Sequence, residues 1–343
     1  MTKNSPEYVQ TSTAAAMTMK ILPGRFYRGA RLNALNLLLT YEDGCKARCS
    51  YCGLSKARVV EPEDRTFIRV DWPSYPLDEV IKRTNENGKH LQRVCVSMIT
   101  HPRALEDMCT VMTKFKDETD LLISGLISPT MIRNKETIEK IKDSGADMVG
   151  IAIDAVTSEL FDEHRGKGVN GPHKWDHYWD VVKWSTEIFE PGNVGVHLIV
   201  GLGETEKEFI KTIQRAEDMG AKTHLFSFYP EQGSKIQGNK QPTYGSYRRI
   251  QLARYIINEG LGSNRNMRLN KKGQIIDFGM DVKEIIEMGE AFMTSGCPGR
   301  DKKVACNRPY GNERPSRPIR NFPFLPEEND IEMIKEQLLD YSS

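Results

Sequence analysis

The sequence predicts an α/β protein built on a parallel sheet, and three observations support that class. Short apolar segments alternate with amphipathic segments from residue 32 to residue 260. Apolar residues follow one another within each short segment, as in strands that are buried on both faces. The connections are short, which favours right-handed crossovers between parallel strands. The resulting βα units fit a doubly wound sheet as well as a barrel or partial barrel.

Each element follows from its local pattern. The predicted strands cover residues 32–41, 93–98, 121–127, 148–154, 194–201 and 223–228. The predicted helices cover residues 77–86, 104–115, 135–143, 178–189, 206–219 and 244–259. Gly145 and Gly220 follow two of these helices, and glycine commonly ends a helix. After the alternation ends, an extended segment is predicted at 267–278 and helices at 282–293 and 331–339.

The same pattern divides the chain into three parts. We expect an N-terminal extension over residues 1–30, a βα core over 31–260 and a C-terminal extension over 261–343. Residues 295–330 are rich in proline and poor in apolar residues that could form a separate core. We therefore expect this stretch to wrap around the main domain.

The composition excludes several classes of protein. Hydrophobic residues make up 38% and charged residues 28% of the 343 residues, which suits a folded chain with a core. The net charge of +1 argues against a partner held by general electrostatic attraction, so we expect neither nucleic acid nor a membrane surface. No apolar run approaches the ~20 residues that span a bilayer, and the N-terminus lacks the pattern of a secretory signal. We expect a cytoplasmic protein.

The cysteines carry the strongest chemical signal. Cys45, Cys49 and Cys52 form a C-x3-C-x2-C loop directly after the first predicted strand. Such loops form the functional face of α/β proteins, and this one lacks the GxGxxG of a dinucleotide site. Three thiolates can hold one metal centre, and an iron–sulfur cube with three protein ligands keeps one iron open. The alternatives are a zinc site completed by a nearby histidine and buried thiols without metal.

A C-x3-C-x-aromatic-C loop after the first strand of a repeating βα chain resembles the radical S-adenosylmethionine (SAM) enzymes. The resemblance implies a partial (βα)6 barrel of the TIM type, here with a wrapping C-terminal extension. It implies a [4Fe–4S] cluster on Cys45, Cys49 and Cys52, whose open iron binds the amino and carboxylate groups of SAM. One-electron reduction then cleaves SAM and yields a 5′-deoxyadenosyl radical, which abstracts hydrogen from an unactivated carbon.

The resemblance also implies a set of SAM contacts. Residues 197–204 resemble the G-x-I-x-G-x-x-E segment of these enzymes, with His197 in place of the first glycine, and this implies roles for Gly201 and Glu204. Tyr51 is the aromatic residue of the cysteine loop. Asp154 ends the fourth strand, where relatives bind the ribose hydroxyls of SAM, and a carboxylate can accept both donors. Asp154 could equally be the N-cap of a following helix.

Within this superfamily the chain resembles the biotin synthase and lipoyl synthase group, whose members consume a second iron–sulfur cluster as the sulfur donor. The resemblance to biotin synthase lies in residues 93–98 and 200–208. Biotin synthase holds its second cluster with cysteines on three strands and an arginine. Here Cys95 is present, Ser124 and His197 replace the other cysteines, and Arg268 could take the place of the arginine.

Two cysteines near the end of the chain offer a replacement for this broken set. Cys297 and Cys306 lie in a stretch that resembles the tail of the two-component lipoyl synthases, often labelled biotin synthases, with residues 299–304 as an insertion. With Cys95 they imply an auxiliary iron–sulfur cluster. A surface loop with two incidental thiols is the alternative. Cys109 lies on a predicted outer helix and is expected to be a small core residue.

The resemblance implies a radical SAM sulfurtransferase of the lipoyl synthase type, with no catalytic side chain assigned beyond the clusters. Its implied partners are an octanoylated lipoyl-carrier protein or peptide, a homologous partner subunit and a ferredoxin- or flavodoxin-type electron donor. One alternative is a biotin synthase variant that acts on dethiobiotin, and another is a non-catalytic iron–sulfur or zinc protein. The basic segment 164–168 could contact SAM or the acyl-protein, or be a solvated loop.

Overall fold

The structure is a computed structural model that describes residues 3–58, 70–311 and 314–342. Its strands are β1 (Tyr8–Thr11), β2 (Ala34–Leu39), β3 (Ser74–Pro76), β4 (Arg93–Ser97), β5 (Leu122–Ile127), β6 (Met148–Asp154), β7 (Val194–Val200), β8 (Lys222–Ser227), β9 (Arg268–Leu269) and β10 (Ile275–Asp277). Its α-helices are α1 (Thr13–Thr18), α2 (Leu77–Asn87), α3 (Ala104–Glu118), α4 (Lys135–Asp143), α5 (Ser158–His164), α6 (Trp175–Ile188), α7 (Glu206–Asp218), α8 (Tyr244–Asn258), α9 (Lys283–Met288) and α10 (Glu328–Leu338).

The main sheet has the strand order β3-β1-β2-β4-β5-β6-β7-β8. Six strands run parallel and lie in the order of the chain: β2, β4, β5, β6, β7 and β8. Strands β1 and β3 are added antiparallel at the β2 edge. Helices follow the parallel strands and bury their apolar faces on the outside. This is the predicted α/β fold, a partial (βα)6 barrel of the TIM type.

The N-terminal segment joins the sheet. β1 lies between β2 and β3, with Val9 opposite Leu39 and Tyr75. The sequence pattern predicted an extension here because β1 and β3 have only four and three residues, too few to show a clear alternation. Together these strands cover the outer edge of β2, which would otherwise expose unpaired backbone groups.

Two helical segments differ from the sequence prediction. The helix predicted at 282–293 ends at Met288, because Gly289 adopts a left-handed conformation with φ of 77° and a short 3-10 turn follows. The segment Ser158–His164 forms α5, a helix that the sequence analysis does not predict, and only its last residue belongs to the basic segment 164–168. Its N-cap is Thr157, whose hydroxyl accepts a hydrogen bond from the Leu160 N–H. Asp154 is therefore not the helix cap that the sequence left open.

The C-terminal tail closes the gap between the first and last parallel strands. At one end, the Leu225 N–H of β8 donates a hydrogen bond of 2.9 Å to Ser295 Oγ. At the other end, the Asn33 N–H before β2 donates one of 3.0 Å to Asn307 Oδ1. The extension thus wraps the barrel, as predicted, and its side chains replace strand pairing where the barrel is incomplete.

The last helix fixes the tail to the N-terminal part of the chain. Asp330 of α10 accepts two hydrogen bonds from Arg28, of 3.0 and 2.6 Å. Arg28 also stacks over the Phe324 ring, 4.6 Å from its centroid. Within the described ranges, no helix combines the length and the apolar character needed to cross a bilayer.

Candidate functional site

A cavity of about 290 Å³ occupies the interior of the barrel, and six cysteines line it. Three of them, called the loop thiols here, lie on the loop after β2, at the carboxyl ends of the strands: Cys45, Cys49 and Cys52. The other three, called the inner thiols, come from β4 and the tail: Cys95, Cys297 and Cys306. Much of the wall between the two sets is apolar and includes Leu38, Met98, Leu126, Ile199 and Phe226.

Backbone hydrogen bonds hold the loop of the loop thiols in place. The Lys46 N–H donates to the Thr100 carbonyl at 2.8 Å, and the Lys56 N–H donates to the Ala47 carbonyl at 2.9 Å. Arg58 donates to the Gly53 carbonyl from the opposite side of the loop, also at 2.8 Å. These contacts order the loop before any metal is bound, which lowers the entropic cost of gathering three ligands.

The donor set of the loop suits an iron–sulfur cluster. Within the described residues, no three His, Cys, Asp or Glu side chains surround one point as single-ion ligands would. A cube does not require this, because each cysteine binds a different iron atom. Burial raises the pKa of Cys49 and of Cys52, so metal binding must displace protons from these thiols.

A buried polar group lies beside the loop thiols. The Tyr51 hydroxyl donates a hydrogen bond to the Asp154 carboxylate, and Arg165 Nη1 lies 3.2 Å from the same carboxylate. Asp154 has a φ of 66°, a left-handed conformation that non-glycine residues rarely adopt and that is frequent at functional sites. All three side chains line the cavity. Among the described residues, Arg165 Nε has no hydrogen-bond partner although it is buried.

Gly201 and Glu204 shape the turn after β7. The Glu204 carboxylate accepts hydrogen bonds from the N–H groups of Gly201 and Leu202, at 2.7 and 2.8 Å. Gly201 has a φ of 107°, and a Cβ there would lie 2.8 Å from Pro242. Neither Gly201 nor Glu204 lines the cavity, whereas Ile199 does. Ile199 therefore faces the cavity, while Gly201 and Glu204 shape the turn beside it, and their predicted contacts with SAM remain a prediction.

His164 connects the cysteine loop to this turn, a role that the sequence gave no signal for. Its Nδ1 lies 2.8 Å from the Ser50 hydroxyl, and its Nε2 lies 2.8 Å from the Leu202 carbonyl. The His164 side chain is buried. A single histidine in a basic segment gives no sequence pattern from which such a bridge could be predicted.

The inner thiols come together through a turn of the tail. Pro298 and Val304 form an antiparallel bridge, so residues 299–304, the predicted insertion, close into a turn. The N–H groups of Ala305 and Cys306 then both donate to the Cys297 carbonyl, at 3.0 and 3.1 Å. This turn brings the two tail cysteines together, and both line the same cavity as Cys95.

Burial and neighbouring groups set the protonation of the inner thiols. A hydrogen bond from the Cys306 thiol lowers the pKa of Cys95, and the same contact, with burial, raises the pKa of Cys306. Burial raises the pKa of Cys297 to about 12. Asn36 Nδ2 donates to the Cys306 sulfur at 3.3 Å. Ser124 is paired with Cys95 in the β4–β5 register, on the side of Cys95 opposite to Asn36.

The structure does not support the role suggested for Arg268. This residue lies in the β9–β10 hairpin, outside the main sheet, with a side chain that is 76% exposed. It pairs with Asp277 at 2.6 Å. The expectation that it reaches a cluster in the barrel is therefore wrong. Cys109 lies on the outer helix α3, is buried and does not line the cavity, as predicted.

Three histidines lie in or beside the cavity, and burial lowers the pKa of each. The pKa of His197 is lowered to about 4 and that of His173 to about 2, while that of His224 lies well below its usual value. His197 packs edge to face with His224, with ring centroids 5.3 Å apart. Its Nε2 lies over Gly150, where a Cβ would be only 3.0 Å away. Desolvation therefore favours the neutral form of all three rings, although His197 is only half-buried.

The family model of the radical SAM superfamily matches residues 40–216, just over half of the chain. The chain therefore belongs to the radical SAM superfamily. Membership implies an enzyme that uses a [4Fe–4S] cluster and SAM, and the loop thiols and the polar group around Asp154 fit that pair of cofactors.

Comparison with solved structures gives the same fold. Methylornithine synthase (PylB) matches with a TM-score of 0.52 and 17% identity, over 72% of this chain and 67% of that chain. Coproporphyrinogen III oxidase (HemN) from Escherichia coli matches with a TM-score of 0.35 and 14% identity, over 45% of this chain and 36% of that chain. The radical SAM methyltransferase TsrM from Kitasatospora setae matches with a TM-score of 0.39 and 12% identity, over 91% of this chain and 61% of that chain. Only the first likeness is close enough to bear on the fold. None of the curated proteins compared with the sequence matches it.

Proposed function

We propose that this chain is a radical SAM sulfurtransferase of the lipoyl synthase type, one subunit of a two-protein system. It removes hydrogen from an octanoyl chain and inserts sulfur taken from a second, auxiliary iron–sulfur cluster. The observation that carries the proposal is the pair of three-thiol sets that line one cavity. Two separate sets are needed because one cluster must survive each turnover and the other is consumed.

The loop thiols and their neighbours form the SAM side of the site. Cys45, Cys49 and Cys52 hold the cluster that, once reduced, supplies the 5′-deoxyadenosyl radical from SAM. The Asp154 carboxylate accepts hydrogen bonds from the ribose hydroxyls, and the Tyr51 hydroxyl fixes the orientation of that carboxylate. Arg165, with a buried Nε that no described residue binds, is placed to donate to the carboxylate of SAM.

The inner thiols form the sulfur-donor side. Cys95, Cys297 and Cys306 come from two distant parts of the chain yet line the same wall of the cavity. Soft thiolate ligands select iron–sulfur clusters over hard metal ions. Asn36 supports the set with its hydrogen bond to the Cys306 sulfur, and such bonds tune the potential of a cluster.

The wall between the two sets suits an acyl chain. Leu38, Leu126, Ile199 and Phe226 line it, and apolar walls bind apolar substrates. We infer that the substrate is an octanoyl group on a lysine of a lipoyl-carrier protein. The other partners are a homologous subunit that shares the two sulfur insertions and a ferredoxin- or flavodoxin-type electron donor.

Anaerobic reconstitution followed by product analysis tests the proposal. We expect about eight irons per chain, reductive cleavage of SAM, and a product mass that shows sulfur in an octanoylated carrier peptide supplied with the partner subunit. Dethiobiotin serves as the competing substrate, and its conversion would identify a biotin synthase variant instead. A content of about four irons per chain would refute the auxiliary cluster, and bound zinc without SAM cleavage would refute the whole proposal.

A further inference from the structure

Arg93 lies at the junction of the barrel and the tail. It begins β4 and is two residues before Cys95, so both side chains leave the strand on the same face. Its guanidinium is almost fully buried, with only 1% of the residue exposed. Nε donates to the Pro298 carbonyl at 2.8 Å, directly beside Cys297. Arg93 therefore ties the tail turn to the strand that carries the remaining inner thiol.

A second contact fixes the guanidinium itself. Nη2 donates to Asp147 Oδ2 at 2.8 Å, and Nη1 donates to the other oxygen of the same carboxylate. Such a two-point contact holds an arginine in one orientation, which a lysine cannot reproduce. The Asp147 side chain is 37% exposed, so its charge is partly screened by water.

The charge of Arg93 acts on the inner thiols. A buried cation is costly unless anionic groups offset it. Arg93 lies two residues before Cys95 in β4, and its Nε binds the carbonyl of the residue that follows Cys297, so its positive charge lies close to these two inner thiols. An iron–sulfur cluster on three thiolates is anionic, and its potential depends on nearby charge and hydrogen bonds.

From these contacts we propose that Arg93 is the positioning residue of the inner-thiol site: it holds the tail turn so that Cys297 meets Cys95, and it supplies the positive charge that an anionic cluster there requires. The inference rests on the proposed function, since the anionic group that Arg93 would stabilise is the proposed auxiliary cluster. It has two separable parts, the contact with the tail and the charge.

Two substitutions separate these parts. Arg93→Met removes the contact and the charge, whereas Arg93→Lys keeps the charge and loses the two-point contact. After anaerobic reconstitution, we expect Arg93→Met to lose more than half of the iron bound by the inner thiols. The auxiliary cluster that remains should titrate, by electron paramagnetic resonance, at a more negative potential than in the wild type. For Arg93→Lys, both the iron content and the potential should lie between those of Arg93→Met and those of the wild type. The signal of the cluster on the loop thiols should be unchanged in both.

A matched control is another arginine that ties down the tail. Arg28→Met removes the clamp on Asp330 but touches no thiol, so we expect full iron loading and an unchanged potential. Circular dichroism verifies that each variant is folded. Full iron loading of Arg93→Met at the wild-type potential would overturn the inference, as would an equal loss of iron in Arg28→Met.

Proteolysis of the metal-free chain keeps the test separate from the proposed function. Lys302 and Lys303 are exposed in the tail turn, and trypsin can cut after either. We expect faster cleavage there in Arg93→Met than in the wild type, because the turn is released from β4. If wild-type protein binds only four irons, the auxiliary cluster is refuted while this cleavage still measures the contact. Equal cleavage rates in the two proteins would refute the contact itself.

Discussion

The loop thiols and the inner thiols reach the same cavity by opposite routes. The loop thiols lie within eight residues, on a single loop of the chain. The inner thiols combine Cys95 of β4 with Cys297 and Cys306 of the tail, and they meet only when the tail is docked on the barrel. The three members of the first set are neighbours in sequence, whereas those of the second set meet only through the tertiary fold. A metal site of the first kind can therefore be predicted from spacing, and one of the second kind cannot.

A buried arginine that lowers the pKa of a cysteine lies beside each set. Arg165 lowers the pKa of Cys49 against the effect of burial, and Arg93 does the same for Cys297. Arg165 comes from the segment after α5 and Arg93 from the start of β4. Similar electrostatics thus arise on both sides of the cavity from unrelated parts of the sequence.

The largest expected effect is the loss of the loop set. Cys49→Ala removes one of three ligands, and we expect reductive cleavage of SAM to fall to the level of the iron-free chain. Production of 5′-deoxyadenosine with dithionite as the reductant measures this. Substantial cleavage by the variant would refute the assignment of the SAM cluster to this loop.

Loss of an inner thiol should act on one side only. Cys306→Ala should lower the iron content by about half and abolish sulfur insertion, while SAM cleavage without substrate stays within about two-fold of wild type. Iron analysis and product mass measure the two effects. Cys109→Ala is the control, because that thiol is buried on α3 and should change neither quantity. If Cys306→Ala also stops SAM cleavage, the two sets are not separate sites.

On the SAM side, substitutions of Asp154 and of Glu204 should differ in their effect on SAM affinity. Asp154→Asn removes a charged acceptor in the cavity, so we expect SAM to bind about 10-fold or more weakly. The same change removes the anionic partner of the buried Arg165, so the free energy of unfolding should also fall. Glu204→Gln leaves a buried backbone N–H group unpaired, so the free energy of unfolding should fall by about 1–3 kcal/mol with little change in SAM affinity. Calorimetric titration with SAM and urea unfolding measure the two quantities. A large affinity loss in Glu204→Gln would make it a direct ligand.

The smallest expected effect concerns the region between the two sets. His197 has a folded pKa of about 4, below the value near 6.5 of an unfolded histidine, so the unfolded chain binds more protons between these pH values. Its contribution to stability is present above pH 6.5 and is lost as the pH falls towards 4, by up to about 1.4 kcal/mol per pH unit. His197→Phe should make this dependence shallower by one proton. Urea unfolding of the metal-free chain at several pH values measures it, and an unchanged slope would contradict a neutral His197.

Particular residues show how much of the fold and of the site can be predicted from the sequence. The parallel strands follow from uninterrupted apolar segments, and the cluster loop follows from its cysteine spacing and its place after β2. The pairing of β1 with β2 could not be predicted, because Tyr8–Thr11 is short and of mixed polarity. The error on Arg268 has the same origin as the omission of Arg93. Sequence resemblance places an arginine along the chain, but only the fold shows whether it points into the barrel or into solvent.

The function of Glu204 illustrates a further limit. The motif marks it beside residues that face SAM, but its carboxylate is occupied by two backbone N–H groups. A motif records which residues occur together, and both ligand contacts and the hydrogen bonds that shape a turn produce such a record. Geometry helps to separate them: here Ile199 lines the cavity, and the Glu204 carboxylate binds the backbone of the turn.

The closure of the barrel by the tail has a consequence for how such enzymes diversify. Side chains of residues 295–307, rather than a further pair of strands, bridge β8 and the start of β2. Two of the three inner thiols, Cys297 and Cys306, therefore lie on a segment that the scaffold does not need for its own strand pairing. Exchange of this one segment between relatives is a route to new chemistry on an unchanged radical-generating half, open to evolution and to engineering alike.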